Sequence, residues 1–109
     1  SSPLIPLMIS HYTDNPSPVF VKSLRACVVN CVPARSKCRE KPLYETLIRQ
    51  IESDPNGIIT TLCAVCMNDE PNTQLLKEVL SETDTKLRKH VGDDKELGKR
   101  VDFLEALML

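Results

Sequence analysis

The chain has 109 residues, of which 41% are hydrophobic and 27% are charged, and its formal net charge is −1. This balance excludes a disordered chain, and it disfavours a protein that covers nucleic acid with positive charge. Only 4% of the residues are aromatic, so there are few side chains on which bases could stack. The length is that of one domain, which we assign to residues 1–109.

Several features of the sequence indicate the cellular location of the protein. No apolar run approaches the roughly 18 residues that span a bilayer, so we expect no membrane partner. Five cysteines cannot all pair internally, which favours a reducing compartment, either cytoplasmic or nuclear. The sequence begins without Met and stops on an apolar run, so we interpret it as a part of a longer intracellular protein.

Proline and apolar spacing predict the first helices in chain order. Pro18 follows Ser17 and starts a helix that extends to Pro33, with apolar residues on one face. Pro42 opens the next helix, which ends before a turn predicted at 54–57.

The second half of the chain continues the helical pattern. A third helix follows the turn and stops near Asn68, and a fourth is capped by Asn72 or Thr73. Gly92 ends the next segment, and apolar residues at helical spacing over 97–108 predict a final amphipathic helix. No alternating strand pattern competes, so the predicted fold is all-α, with about five to six helices.

The chain contains an internal repeat. The stretch PLIPLMISHYTDNP recurs as PLYETLIRQIESDP, and residues 15–30 align with 54–68, which matches Asn30 with Asn68. A period of about 38–39 residues built from helices predicts an α-solenoid. The predicted parts are repeat unit 3–41, repeat unit 42–71 and the charged C-terminal capping helices 72–109.

The residues PLIPLMISHYTDNPSPVFVKSLRACVVNCV resemble an armadillo repeat, and HEAT repeats have a similar layout. The resemblance covers roughly 3–70 and implies a right-handed solenoid. It also implies that the last helix of each unit lines a groove, where Asn30 and Asn68 would hold a partner peptide. Family members that trap basic side chains have a Trp one turn earlier, but this sequence has Ala26 and Ala64 there.

The physical reasoning agrees with that role, because an Asn amide can bond both the N–H and the C=O of a peptide backbone. Each repeat unit then contributes one row of residues spaced by four. The alternative is that both asparagines only end their helices. The predicted partner-binding residues are Lys22, Ala26, Asn30, Thr60, Ala64 and Asn68.

Four cysteines form two close pairs that could bind zinc, although each lies on a predicted apolar face, where a cysteine packs as a small hydrophobe. Core packing is the preferred interpretation for Cys27, Cys31, Cys63 and Cys66. Cys38 lies in a predicted basic loop, where cations would make it a reactive thiol. The loop itself could bind an acidic partner or a phosphate through Arg35, Lys37, Arg39 and Lys41.

No catalytic motif is present, so we expect a non-enzymatic protein without cofactors. The favoured function is a protein–protein interaction module that binds a peptide or helix. The first alternative is a purely structural segment of a larger solenoid. The second is a zinc-binding regulatory domain organised by the cysteines. The apolar C-terminal helix could also form a homodimer.

Overall fold

Helices account for all the regular structure in the computed structural model, which describes residues 4–29 and 31–109. No strand occurs in these ranges, so the all-α prediction is confirmed. None of the helices described there is long and apolar enough to cross a membrane. The α-helices are α1 (Leu4–Asp14), α2 (Pro18–Val28), α3 (Val32–Ser36), α4 (Lys41–Arg49), α5 (Pro55–Cys66), α6 (Glu70–Thr83) and α7 (Lys95–Leu107), with a 3₁₀ helix at Leu87–His90.

A carboxylate cap begins α5. Asp54 accepts a hydrogen bond of 3.2 Å from the backbone N–H of Gly57, and Pro55 occupies the first helical position, where its missing N–H costs nothing. Residues 54–57, which the sequence predicts to be a free-standing turn, therefore form the start of the helix.

The start of α6 also differs from the prediction. Asp69 accepts a hydrogen bond of 3.0 Å from the backbone N–H of Asn72, so Asp69 is the cap, and Asn72 and Thr73 lie inside the first turn. The helix ends at Thr83, where the next residue, Asp84, adopts a left-handed conformation with φ of 51°.

The helix predicted from Pro18 to residue 32 is interrupted. It ends at Val28, and a separate five-residue helix, α3, starts at Val32. Cys31 precedes α3 as its N-cap residue and is not part of the apolar face of α2. Pro33 explains the change, since proline favours a helix start over a helix interior.

The helices pack in two rows. In one row α4 lies between α1 and α6, and in the other α5 lies between α2 and α7. The rows are joined where α1 packs on α2 and α5 packs on α6. Because α5 has neighbours on several sides, nearly all its positions are apolar or small, as a buried helix requires.

One hydrophobic core runs between the rows. It extends from Ile5 in α1 to Leu104 in α7, and the stacked rings of Tyr12 and Phe20, 5.3 Å apart, join α1 to α2. The longest dimension of the molecule is 39 Å and the other two are 27 and 25 Å.

Candidate interaction surface

The contact between α2 and α5 contains one polar anchor. The guanidinium Nη1 of Arg25 donates hydrogen bonds of 3.1 Å to the backbone carbonyl oxygen of Gly57 and to the hydroxyl Oγ1 of Thr61. Thr61 is 0% exposed, and its hydroxyl donates in turn to the Gly57 carbonyl at 2.8 Å. A carbonyl oxygen and a hydroxyl one turn apart therefore form a receptor for a cationic donor.

The contact between α5 and α7 includes one hydrogen bond, made from the position of α5 that matches Arg25. Cys63, which lies 38 residues after Arg25, donates from Sγ to the backbone carbonyl of Arg100 at 3.5 Å. Beside it is an open depression of about 260 Å³, in which Met67 and Phe103 are partly exposed. The same position of α2 and of α5 therefore contacts the next helix of the row.

The ends of α2 and α5 have matching backbone hydrogen bonds. Val29 and Met67 each donate to a carbonyl one turn back, at 3.0 and 3.1 Å. Asn68 follows with φ of 53°, a left-handed conformation that asparagine tolerates better than most residues. Asn68 therefore terminates α5, which accounts for its place in the repeat. Asn30, its predicted counterpart, lies outside the described residues.

The predicted row of partner-binding residues is only partly open. In α2, Lys22 and Ala26 are exposed. In α5, Thr60 is half-buried and its hydroxyl donates to Asn56, while Ala64 is only 8% exposed. The expectation that both helices present the same open row is wrong at Ala64, because α5 is flanked by neighbours that α2 lacks on one side.

The predicted basic loop is largely structured and neutralised. Arg35 lies in α3 and is 5% exposed, so it cannot bind an acidic partner on the surface. Arg39 donates to the buried Asp69 carboxylate at 3.2 Å, and the ammonium of Lys41 pairs with Glu82 at 2.7 Å. Lys37 follows α3 and is half-buried.

The prediction of an exposed, reactive Cys38 is wrong. Its side chain is 0% exposed, and its thiol donates to the carbonyl of Ala34 at 3.6 Å. Burial, followed by the negative charges of Asp69 and Glu40, raises the pKa of Cys38 to about 12. The thiol is therefore protonated and inaccessible, whereas nucleophilic cysteines need an exposed thiolate.

The other four cysteines are free thiols, and only one of them is fully buried. Cys66 lies in the core, where burial raises the pKa of its thiol to about 12. Cys63 is half-buried, and burial raises its pKa to about 11. Cys27 and Cys31 are also half-buried. Within residues 4–29 and 31–109, no three metal-ligating side chains lie close enough together to hold an ion.

A second concave surface, which the sequence does not reveal, lies along α4. Two adjacent depressions of about 500 and about 540 Å³ meet at Arg49, whose Nη2 donates to the hydroxyl of Thr46 at 3.1 Å. The charged residues around them include both signs, so the lining favours no single charge in a partner. They are Glu45, Arg49, Glu52, Asp84, Lys86 and Lys89.

Sequence reasoning missed Arg25, the residue that anchors α2 to α5. The signal available was its position next to the core residue Leu24 and one turn before the core residue Val28, but an arginine there is ordinarily solvated. The chain matches no protein-family model, no curated protein and no solved structure.

Proposed function

We propose that this chain is a non-catalytic interaction module of stacked helical repeats, arranged as in armadillo or HEAT proteins. It would bind a peptide or helix of another protein. The observation that carries this proposal is the repeated contact in the row of α2, α5 and α7, where Arg25 and Cys63 occupy equivalent positions. Rows of alternate helices related by a sequence repeat are typical of α-solenoids.

A rigid row suits recognition, because the module loses little conformational entropy when a flexible partner binds. The open side chains along this row are partly apolar, and Val29, Met67 and Phe103 are all at least 36% exposed. Five free cysteines agree with a reducing, intracellular compartment. We place the recognition surface on this row, between Lys22 of α2 and Met67 of α5.

The test is site-specific photocrosslinking with a benzophenone amino acid placed at Lys22 or at Met67. We expect both positions to crosslink the same protein in cell lysate, and the purified partner segment to bind with a measurable Kd. A probe at Lys77, an exposed residue of α6, is the matched control. The proposal fails if the control captures the same proteins, or if the captured segment does not bind when purified.

A purely structural role in a larger solenoid is the second candidate. The exposed outer side of α2 favours it, since Val19 there is 74% exposed and would be buried by another helix. That role predicts no partner-specific crosslink from either Lys22 or Met67.

A further inference from the structure

The outer side of α2 carries the same pattern of residues that α5 uses to receive α2. Val19, Ser23 and Ala26 lie 38 residues before Gly57, Thr61 and Ala64, and they occupy one helical face in each case. In α5 two of the three positions are buried, with Thr61 0% and Ala64 8% exposed, and Gly57 is half-buried. The three counterparts in α2 are all exposed.

The acceptor geometry is also repeated. The Ser23 hydroxyl donates to the carbonyl oxygen of Val19 at 3.0 Å, as the Thr61 hydroxyl donates to the Gly57 carbonyl at 2.8 Å. In α5, this carbonyl and hydroxyl together accept the guanidinium of Arg25. The Gly57 carbonyl accepts the guanidinium while it also accepts from the Thr61 hydroxyl, so the matching pair on α2 offers the same acceptors.

Position 19 of α2 holds valine where the matching position of α5 holds glycine. Position 57 lies beside the cap of α5, because a Cβ there would meet the capping carboxylate of Asp54. The N-cap of α2, Ser17, makes no side-chain cap bond, so Val19 has no such conflict.

We propose that the outer side of α2 binds an α-helix of a partner protein, and that this helix carries an arginine. Its guanidinium donates to the Val19 carbonyl and the Ser23 hydroxyl, while Ala26 allows the two helices to approach closely. The occupant is inferred from the interface between α2 and α5, of which this face is the continuation. The proposal rests on the proposed function and adds the chemistry of one partner.

The probe is a stapled helical peptide with the sequence of residues 17–29 and Cys27→Ala, because α2 itself is the helix that docks on the equivalent face of α5. Binding to the full chain is measured by fluorescence anisotropy. We expect saturable binding that weakens about tenfold when the peptide carries Arg25→Ala, since this change removes the hydrogen bonds of a charged donor. Amide shifts should change at Val19, Ser23 and Ala26.

The protein variant Ala26→Glu should abolish binding. Ala106→Glu, on the exposed side of α7, is the matched control and should bind as the wild type does. Circular dichroism must show that both variants are folded. Binding that survives Ala26→Glu, or the absence of binding to the wild type, overturns the proposal. Peptide-free self-association that Ala26→Glu abolishes would also overturn it, in favour of a second copy.

The two proposals can fail separately. If the stapled peptide does not bind but Lys22 and Met67 crosslink one protein, the recognition surface on the row of α2, α5 and α7 is supported. The helix-binding site on the outer side of α2 is then rejected. If the peptide binds and no specific crosslink forms at Lys22 or Met67, the helix-binding site on the outer side of α2 is supported. The recognition surface between Lys22 and Met67 is then rejected.

Discussion

Asn72 is joined to Arg35 by a hydrogen bond of 2.8 Å from its side-chain Nδ2 to the Arg35 backbone carbonyl oxygen. The same nitrogen donates to the carbonyl of Val65 at 2.8 Å. Because Asn72 is 0% exposed, both bonds lie in the interior. One amide therefore ties the first turn of α6 to the last turns of α3 and α5.

Replacing this amide should destabilise the fold. Asn72→Ala removes the side-chain donor from the buried Val65 carbonyl and one of two donors from the Arg35 carbonyl, which also accepts from the N–H of Cys38 at 3.0 Å. This loss should lower the free energy of unfolding by about 1–3 kcal/mol. Gln74→Ala is the control, since Gln74 is exposed and its amide contacts only Glu70 at 3.1 Å in the described part of the chain. We expect less than about 0.5 kcal/mol there. Urea denaturation followed by circular dichroism measures both, and equal stabilities would contradict the assignment.

An N-cap can be added to α3 by introducing the residue type that caps α6. Cys31 precedes α3 with φ and ψ of −133° and 97°, and Asp69 precedes α6 with −136° and 95°. Only Asp69 makes a side-chain cap. Cys31→Asp should therefore accept from the N–H of Ala34 and stabilise the chain by about 0.5–1 kcal/mol.

Cys31→Ala is the control for that substitution, because it removes the thiol without adding an acceptor. Thermal unfolding should rank Cys31→Asp above the wild type and Cys31→Ala at or below it. If both variants shift the midpoint equally, the gain arises from loss of the cysteine and not from a cap.

The repeat in the sequence predicted local structure well and long-range contacts poorly. Pro18 and Pro42 fix helix starts through their own φ, and Asn68 marks a helix end through its tolerance of the left-handed region, so each could be recognised without knowing its neighbours. The burial of Ala64 depends on the helices that flank α5, which no local pattern specifies.

Cys38 is a second residue whose burial the local sequence does not specify. Its cationic neighbours predict an exposed loop, but the chain folds so that Arg39 faces Asp69 and Arg35 enters α3. Both arginines make contacts within the fold, and Cys38 is part of the hydrophobic core. Contacts between residues about 30 positions apart decide this, and they are absent from the local sequence.

Substitutions at Asn68 can distinguish a role in ending α5 from a role in binding a partner. Asn68→Gly keeps the left-handed conformation available and removes the amide, so we expect a stability within about 0.5 kcal/mol of the wild type. Asn68→Val should cost about 1–2 kcal/mol, because a β-branched residue is disfavoured at positive φ. Chemical denaturation measures both. A Gly variant that is as unstable as the Val variant would show that the amide itself supports the fold.

The same glycine variant tests the recognition role. If the Asn68 amide holds a partner backbone, Asn68→Gly should weaken binding of the crosslinked segment while leaving the free energy of unfolding unchanged. If binding is unchanged, Asn68 only ends its helix, and the recognition surface consists of its exposed neighbours.

The buried thiols make the stability fall at alkaline pH. Burial raises the pKa of both Cys38 and Cys66 from 9.0 to about 12, so the folded chain keeps these protons while the unfolded chain loses them above pH 9. A folded-state pKa above the unfolded value gives stability that is complete below pH 9 and is lost between pH 9 and 12. The free energy of unfolding should therefore be constant from pH 7 to 8.5 and decrease at pH 10.

The variants Cys38→Ala and Cys66→Ala each remove one of these groups, so each should reduce the slope between pH 9 and 10 even though it lowers stability at pH 7. Alkylation with iodoacetamide at pH 8, read by mass spectrometry, gives an independent check. Cys27 and Cys31, which are half-buried, should be modified in the native chain before Cys38 and Cys66, which need unfolding to react. Early modification of Cys38 would contradict its burial beneath α3 and restore it as the reactive thiol.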